Sequence, residues 1–258
     1  MEMKNLMVLD TETVSIDKPF VYDIGFIVYN PQTSRVMARE NYLVKEIWNN
    51  KELYATSYFA SKRPLYKKLI KQGKIKVKSF YWIMRRMAKV IRKNEIGYMY
   101  AYNAPFDKKV FEFNTEWFKI ENPLERVQIL DIVPYVHKVI GFTEIYKEFC
   151  ERHQLFTESG NYSANAENIT RFLTCDTDFK EEHTALADCE IELKILLHCI
   201  DKGCEYHQEY KKYACIPRKT KRQFVVKQTV NGETVKHSFD YNKKRLILEE
   251  DFLILEMK

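Results

Sequence analysis

The sequence lacks the long apolar runs and paired cysteines that mark membrane-spanning and disulfide-stabilised proteins. No window approaches the roughly 18 apolar residues that are needed to cross a bilayer, and no basic segment followed by an apolar one stands at the start, as in a secretory signal. The six cysteines lie in the C-terminal half without a C-x-x-C pair, which excludes the usual patterns of a zinc site or a disulfide framework. We therefore expect an intracellular, cytoplasmic protein with reduced cysteines and no membrane partner.

Acidic residues are absent from one long segment. Between Leu53 and Asn94 the chain has thirteen Lys or Arg and no Asp or Glu, so this segment carries +13 and the rest carries −7, for a net charge of +6. The aromatic residues spread through it are Tyr54, Tyr58, Phe59, Tyr66, Phe80, Tyr81 and Trp82. Positive charge beside stacking rings is typical of surfaces that bind single-stranded nucleic acid. The alternative is a solvated helical face whose aromatic residues belong to the core.

Internal repeats and low-complexity segments are also absent, and 258 residues, 45% of them apolar, are enough for one substantial α/β domain. Runs rich in β-branched and aromatic residues predict strands at 5–10, 21–29, 36–44, 96–103 and 126–133. Helical patterns cover about 48–94, 105–118, several short segments from Thr143 to Phe172, and 184–203. A three-stranded meander followed by alternating helices and strands predicts a mixed five-stranded sheet flanked by helices.

The C-terminal segment has a different pattern. The sequence RQFVVKQTVNGETVKHSF contains two strand-like runs around Asn231-Gly232. An Asn-Gly pair between alternating apolar residues is the strongest short signal of a β-hairpin. We predict a main domain over 1–214, with a basic helical insertion at about 46–78, and a C-terminal β-hairpin extension over 215–258.

Two carboxylates end the first predicted strand, in the sequence NLMVLDTETVSI. Because residues i and i+2 of a strand project to the same face, Asp10 and Glu12 lie side by side at its carboxyl end. Two like charges this close need a cation between them, and Mg²⁺ and Mn²⁺ prefer carboxylate oxygens. Taken alone, the D-x-E pattern is also explained by a strand that runs into an acidic loop.

A third carboxylate follows the fourth predicted strand, in the sequence YAYNAPFDKKVFEF. Asn103 as the helix N-cap, the early Pro105, and Asp107 in the first turn are all explained by helix capping and the helix dipole. The junction between strand and helix also places Asp107 at the carboxyl edge of the sheet, beside the D-x-E pair, if the two strands are parallel neighbours. Asp131, at the end of the fifth predicted strand, is expected to be structural.

A histidine and a fourth carboxylate occur in the sequence EEHTALADCEIELKIL. His183 and Asp188 are five residues apart, which on one continuous helix would turn them about 140° away from each other. If Thr184 caps the helix, His183 lies in the preceding loop and Asp188 in the second turn, so both can face one site. Histidine is the side chain whose ordinary pKa suits proton transfer near neutral pH.

In order and in local context, the D-x-E, N-A-x-F-D and H-x-A-x-x-D patterns resemble the three motifs of the DEDDh 3′–5′ exonucleases, the superfamily of proofreading exonucleases, RNase T and oligoribonuclease. The resemblance spans residues 5 to 200. It implies an RNase H-like fold, with His183 as the general base instead of the tyrosine of the DEDDy branch. The metal-binding carboxylates that it implies are Asp10, Glu12, Asp107 and Asp188. The insertion and the C-terminal extension are similar to those of exonucleases encoded by bacteriophages.

The resemblance implies a metal-dependent enzyme that hydrolyses single-stranded nucleic acid from the 3′ end, with DNA favoured, to nucleoside 5′-monophosphates. Two Mg²⁺ or Mn²⁺ ions about 3.5–4 Å apart, bridged by Asp10, would stabilise the attacking and leaving oxygens. His183 would accept a proton from the attacking water. Candidates for contacts with the 3′-terminal nucleotide are Thr11, Thr13 and Asn103.

Several alternatives stay open at this stage. An RNase T-like or oligoribonuclease-like exoribonuclease would show the same motifs, because the 2′-OH is read by a few local contacts. An RNase H-type endonuclease shares the carboxylate chemistry, an inactive nucleic-acid-binding module would keep the fold and the basic surface, and dispersed carboxylates that merely cap helices would form no site. Proofreading exonucleases act beside a polymerase and RNase T-like enzymes pair as dimers, so the resemblance is compatible with a replication partner and with a homodimer.

The basic insertion lies outside the resemblance. Its cations lack the acidic partners at i±4 that a purely structural helix would have. We predict that a track of cations guides the nucleic-acid backbone toward the Asp10/Glu12 edge. The members of this lysine track are Lys62, Arg63, Lys67, Lys68, Lys71 and Lys74.

Overall fold

The structure, a computed structural model, describes residues 5–218, 223–230, 233–240 and 245–247. The chain divides into two units, Met1–Ile216 and Pro217–Lys258. The first contains a six-stranded sheet with helices on both faces, and the second contains a three-stranded sheet. Within the described ranges, no helix has both the length and the apolar character needed to span a bilayer.

The six-stranded sheet begins with the predicted meander. Its strands β1 (Leu6–Thr13), β2 (Val21–Asn30) and β3 (Arg35–Val44) pair antiparallel in sequence order. Three further strands run parallel to their neighbours: β4 (Lys76–Lys78), β5 (Tyr98–Ala101) and β6 (Gln128–Asp131). The order across the sheet is β4-β3-β2-β1-β5-β6, so the sheet is mixed, as predicted.

The sheet has one strand more than the five that the sequence predicts. The additional strand β4 lies in the region predicted to be helical and pairs with β3, with Val77 opposite Leu43. Three residues are too few for an alternating pattern to be visible between helical patterns on both sides. Val77 packs against the core, and this burial of a β-branched side chain favours the extended conformation.

Helices and turns fill the connections between strands. They are α1 (Lys45–Trp48), α2 (Lys51–Ala55), a 3₁₀ turn (Ala60–Lys62), α3 (Arg63–Lys71), α4 (Phe80–Lys93), α5 (Pro105–Phe118), α6 (Val133–Val136), a π-helical turn (His137–Gly141), α7 (Glu144–His153), α8 (Ala166–Thr174) and α9 (Ala185–Asp201). The predicted helices at 105–118 and 184–203 are confirmed by α5 and α9. The region predicted as a basic helical insertion contains short helices and β4.

Strand β1 is buried on both faces, which explains its uninterrupted apolar run. Its odd-numbered apolar residues belong to the core on the face that carries α4 and α5, and its even-numbered ones belong to the core on the face that carries α9. Asp10 and Glu12 continue the even-numbered series, so their side chains project to the α9 face where β1 ends.

Helix α9 crosses β2 at Gly25. A Cβ atom on Gly25 would lie 2.3 Å from both the Ala185 carbonyl carbon and the Leu186 nitrogen, so only glycine allows this approach. The Cys189 thiol also donates to the Gly25 carbonyl, with 3.2 Å between sulfur and oxygen. Because Gly25 is the register partner of Asp10, the contact brings the first turns of α9 over the carboxylates of β1.

The second unit is described through its strands. β7 (Gln223–Val230), β8 (Glu233–Asp240) and β9 (Arg245–Ile247) form an antiparallel sheet in this order. β7 and β8 are the two strands of the predicted hairpin. The predicted turn, Asn231-Gly232, lies outside the described residues.

Candidate active site

The carboxyl ends of β1 and β5 meet at one edge of the sheet. The two strands are parallel neighbours, so the helix that follows β5 begins beside the end of β1. Asp107, in the first turn of that helix, is only 3% exposed. The Thr11 hydroxyl donates a 2.7 Å hydrogen bond to Asp107 Oδ1. The structure therefore brings Asp107 next to the end of β1.

The junction before α5 differs from the prediction in one respect. Ala104, not Asn103, is the N-cap residue, and it provides no side-chain cap. Asn103 has a φ of +64°, a left-handed conformation that asparagine tolerates, and its Oδ1 accepts a hydrogen bond from Lys212 Nζ at 3.1 Å. The Asn103 N–H donates to Asp131 Oδ1 at 3.0 Å, and Lys212 Nζ lies 2.6 Å from the other oxygen of Asp131. Asp131 thus holds this turn in place.

The loop before α9 contains His183, as predicted. Thr184 is the N-cap residue, with the extended backbone of a cap, but its side chain makes no capping hydrogen bond to the described N–H groups. Asp23 of β2 takes this role, because its Oδ2 accepts a 3.0 Å hydrogen bond from the Ala185 N–H. His183 has a φ of +49°, so the chain turns sharply as it enters α9.

Glu12, His183 and Asp188 form the centre of the site. One potential ligand atom of each lies within 4.8 Å of those of the other two. Asp10 adjoins them: burial raises its pKa well above the ordinary value, and repulsion from Glu192 and from the other carboxylates of the site raises that pKa further. The five residues that carry the three motifs are therefore neighbours in space.

Each carboxylate of this cluster resists ionisation. Burial raises the pKa of Asp107 to about 7 and the pKa of Asp188 to about 8. Burial, followed by repulsion from Asp188, raises the pKa of Glu12 well above its ordinary value. The charged forms are disfavoured because they are withdrawn from water and placed beside like charges.

Two further buried carboxylates lie outside the motifs. Glu192, 4% exposed, is one turn after Asp188 on α9, and burial followed by repulsion from Asp107 raises its pKa well above the ordinary value. The i, i+4 spacing to Asp188 is the signal by which the sequence could have shown it. Asp23 is fully buried and is the register partner of Glu12. Burial raises the pKa of Asp23 to about 7.

The residues of the cluster fit hard divalent cations. Carboxylates are the donors that Mg²⁺ and Mn²⁺ prefer. Asp188 Oδ1 and Glu192 Oε2 are buried and have no hydrogen-bond partner among the described residues. Such oxygens are costly to bury unless a cation or a proton compensates them. The residues that could hold the cations are Asp10, Glu12, Asp107 and Asp188.

The two threonines of β1 differ in their surroundings. The Thr11 hydroxyl is buried and donates to Asp107. Thr13 is half-buried, its hydroxyl donates to the Ser15 carbonyl at 3.3 Å, and the loop that follows, 15–18, is exposed. Of the two, Thr13 is therefore the one next to solvent.

The cations of the lysine track occupy three kinds of environment. Lys62 is half-buried, and its Nζ donates to the Glu182 carbonyl beside the acidic cluster. The Arg63 guanidinium lies over the rings of Trp48 and Tyr54, 4.3 and 4.7 Å from their centroids. The exposed members are Lys67, Lys68, Lys71 and Lys74.

The aromatic residues of the basic segment divide between core and surface. Tyr54, Tyr66 and Phe80 are fully buried, so the interpretation as core residues is right for them. The exposed aromatic residues are Tyr58, Tyr81 and Trp82. These three remain available to stack on bases.

Comparison with protein-family models and with curated proteins gives no match. Comparison with solved structures finds the same fold in exonucleases. The chain aligns with the nuclease domain of 3′hExo, a DEDDh family member, bound to rAMP, with a TM-score of 0.53 and 14% identity over 81% of this chain and 98% of that chain. It aligns with E. coli exonuclease I in complex with a dT13 oligonucleotide, with a TM-score of 0.52 and 12% identity over 78% of this chain and 41% of that chain.

A third structure with this fold is a 3′-exonuclease in 3′-end-specific recognition of a histone mRNA stem-loop. Its TM-score is 0.50, with 10% identity over 92% of this chain and 91% of that chain. The chain thus spans less than half of the length of exonuclease I but nearly all of the 3′hExo nuclease domain. The predicted RNase H-like α/β fold is confirmed by these likenesses.

Proposed function

We propose that this chain, which has the fold of the DEDDh exonucleases, is a metal-dependent 3′–5′ exonuclease that hydrolyses single-stranded nucleic acid and releases nucleoside 5′-monophosphates. The observation that carries the proposal is the meeting of Glu12, His183 and Asp188 within 4.8 Å of one another. Asp10 and Asp107 adjoin them in the same largely buried cluster. Carboxylates that only capped helices would have no reason to converge with a histidine.

The acidic cluster is proposed as the metal site. Asp10, Glu12, Asp107 and Asp188 would hold two Mg²⁺ or Mn²⁺ ions, which when bound stabilise charge on the attacking and leaving oxygens of an in-line displacement at phosphorus. Thr11 restrains the Asp107 carboxylate through its 2.7 Å hydrogen bond. Burial of these groups excludes water and strengthens their electrostatic attraction to cations.

His183 is the general base of the proposed reaction. Burial, followed by the charge of Lys62, lowers the pKa of His183 below its ordinary value of 6.5. Its imidazole is therefore neutral at pH 7 and can accept a proton. Nδ1 lies 3.6 Å from Glu181 Oε2, which leaves Nε2 to face the attacking water. The water proton passes to the imidazole, the water oxygen bonds to phosphorus, and the 3′-oxygen of the preceding nucleotide leaves and is protonated.

Single-stranded DNA is the favoured substrate, and single-stranded RNA is the second candidate. The alignment with exonuclease I in complex with dT13 supports DNA. The alignment with almost the whole 3′hExo nuclease domain, which is bound to rAMP, supports RNA. The four exposed lysines of the track would attract either backbone, because DNA and RNA carry the same phosphate charge.

The experiment is digestion of 5′-labelled single-stranded DNA, single-stranded RNA and duplex of one sequence, with Mg²⁺ or Mn²⁺. We expect a ladder that shortens from the 3′ end, release of 5′-mononucleotides, and complete inhibition by EDTA. A 3′-blocked strand and a circular single strand are the controls. Their cleavage would indicate an endonuclease, and binding without hydrolysis in both metals would indicate an inactive binding module.

A further inference from the structure

The basic insertion reaches the loop that carries His183. The Phe59 ring stacks on the His183 imidazole, with 4.6 Å between ring centroids and 19° between ring planes. Lys62 Nζ donates a 2.5 Å hydrogen bond to the Glu182 carbonyl, in the peptide group that precedes His183. Two side chains of the insertion therefore contact the proposed base and its backbone.

The local backbone places these two side chains together. The Lys62 N–H donates to the Phe59 carbonyl at 2.9 Å, and residues i and i+3 of a 3₁₀ turn project to the same side. Lys62 Nζ lies 4.2 Å from the centroid of the Phe59 ring, a cation–π contact. The pair thus forms one contact surface toward the loop.

The insertion is also tied to the start of α9 through the core. Fully buried Tyr66 donates a 2.9 Å hydrogen bond to Asp23 Oδ2. The same oxygen accepts the N–H of Ala185, the first residue of α9. One carboxylate of β2 therefore joins the helix after the 3₁₀ turn to the helix after His183.

His183 requires such support because of its own backbone. Its φ of +49° lies in the left-handed region, which a residue with a Cβ keeps only when its surroundings hold it there. Phe59 restrains the plane of the imidazole, and Lys62 restrains the preceding peptide group. Together these contacts define the direction in which the ring nitrogens point.

We propose that Phe59 and Lys62 are positioning residues that hold His183 toward Glu12 and Asp188, so that the basic insertion acts on the chemical step as well as on strand binding. The inference rests on the proposed function, because it takes His183 as the base. Lys62 differs in this respect from the exposed lysines of the track, for which no hydrogen bond to the His183 loop is described. Strand binding alone would not require a contact with that loop.

The first test separates kcat from KM on a short, saturating oligonucleotide. Phe59→Ala is expected to lower kcat by about 10- to 100-fold and to change KM by less than about twofold, because a misplaced base loses part of its contribution without loss of substrate contacts. Phe59→Tyr keeps the ring and should retain the wild-type kcat. Tyr213→Ala, at an exposed aromatic residue that contacts Phe142 and His137 instead, is the matched control. Lys62→Gln should lower kcat by a smaller factor than Phe59→Ala.

The second test repeats Phe59→Ala in a His183→Gln background. If Phe59 acts through His183, Phe59→Ala should lower kcat by less than about twofold in the His183→Gln background, because the base is already absent. An equal loss of kcat in both backgrounds would mean that Phe59 acts on the substrate or on the fold, and would overturn the proposal. If Phe59→Ala does not fold, Phe59→Leu serves in the same cycle.

The third test does not depend on activity. In a proton–carbon NMR spectrum, the His183 ring signals are those that His183→Gln removes, and the stacked Phe59 ring shields them. Phe59→Ala should move these signals downfield, and Phe59→Tyr should leave them in place. Signals that do not move would overturn the positioning role. Absence of hydrolysis by the wild-type protein in Mg²⁺ and in Mn²⁺ would instead count against the proposed function, so the two failures are distinguishable.

Discussion

The carboxylates at the end of β1 and at the starts of α5 and α9, which we call the acidic edge of the sheet, contrast with the basic segment between Leu53 and Asn94. Each region concentrates charge of one sign. The acids are few and are buried or half-buried at the end of β1 and at the starts of α5 and α9. The thirteen cations of the basic segment lie mostly at the surface. Repulsion between buried charges is strong because the local dielectric is low. Between exposed charges it is weakened by water and salt.

This difference separates chemistry from binding. A few clustered carboxylates favour the binding of small, hard cations at one defined place. Many exposed lysines create a diffuse attraction for a polyanion, whose strength depends on salt. Lys62 belongs to both regions, since it is half-buried, comes from the insertion, and lies near Glu12 and Asp188.

The largest expected effect is the loss of hydrolysis in Asp188→Asn. The change keeps the volume of the side chain but removes one of the four proposed metal-binding carboxylates. We expect a loss of at least about 10³-fold in hydrolysis at saturating Mg²⁺ or Mn²⁺, because metal stabilisation of the transition state is worth several kcal/mol. Initial rates on end-labelled single-stranded DNA measure it, and Asp10→Ala should behave alike.

Glu190→Gln is the matched control on the same helix. Glu190 is exposed, and one of its oxygens lies 3.3 Å from Arg39 Nε, so its carboxylate is engaged outside the acidic cluster. The variant should keep the wild-type rate. Folded Asp188→Asn protein with full activity would remove Asp188 from the site and with it the proposed metal centre.

His183→Gln should remove the general base and leave the carboxylates intact. The expected loss is about 10²–10⁴-fold in rate, with strand binding preserved. In the wild-type protein the rate should rise with pH as the imidazole loses its proton. Because the pKa of His183 is lowered from 6.5, the midpoint of the rise should lie below that pH. A rate that is flat between about pH 5 and 8, with chemistry limiting, would contradict the role.

The motifs predicted the meeting of the acids because simple rules govern their positions. Alternation along a strand puts Asp10 and Glu12 on one face. Parallel neighbours bring a strand end and a helix start to one edge, which places Asp107. These rules use only the local sequence pattern and the order of the strands in the sheet. They therefore place the three acids correctly without knowledge of how the helices pack on the sheet.

Other parts of the site depend on contacts between distant residues. Lys62 and Glu182 are 120 positions apart, and no local pattern encodes their pairing. Nothing in the local sequence distinguishes Asp23 from other polar residues of strands. Its carboxylate nevertheless caps α9 in place of the Thr184 side chain. The approach of α9 to β2 depends on the missing Cβ of Gly25, which becomes meaningful only when the two elements are seen together.

Neutralising the exposed lysines tests whether the basic segment binds the nucleic-acid backbone. The quadruple change to Gln affects Lys67, Lys68, Lys71 and Lys74. We expect the slope of log binding constant against log salt to flatten by about 3 units, since each lost phosphate contact removes about 0.7 for single strands. Hydrolysis of a saturating short oligonucleotide should change little, because these side chains do not belong to the acidic cluster. Fluorescence anisotropy at several salt concentrations measures the slope.

The matched control removes the same amount of charge elsewhere. The residues changed to Gln are the exposed Arg126, Arg152, Lys194 and Lys202. This variant should alter the slope far less, since net charge acts only weakly across a Debye length of about 8–10 Å. If the slope of the track variant is unchanged and its rate on short substrates collapses, the insertion is catalytic scaffold and not a binding track.

The smallest expected effect is on the stability of the metal-free protein. Burial raises the pKa of Asp107 to about 7 and the pKa of Asp188 to about 8, from an ordinary 3.8. A carboxyl group with a higher pKa in the folded state holds its proton more tightly when folded. Stability is therefore full below the ordinary pKa and is lost as the pH rises from about 4 to about 8. In EDTA, the wild-type protein should lose stability relative to Asp188→Asn over this range.

We expect the Tm of the wild-type protein, measured against that of Asp188→Asn, to fall by at least about 2–4 °C between about pH 5 and 8, which is the shift that about 1 kcal/mol causes in a protein of this size. The comparison with the variant cancels the titration of groups that both proteins share. Excess Mg²⁺ at the higher pH should reverse the fall, because the cation binds the folded site and not the unfolded chain. A Tm difference that does not change with pH would mean that groups of the chain itself, Lys62 foremost, compensate the buried acids. The acidic edge would then need no bound cation. Its clustered carboxylates would not be evidence of a metal site.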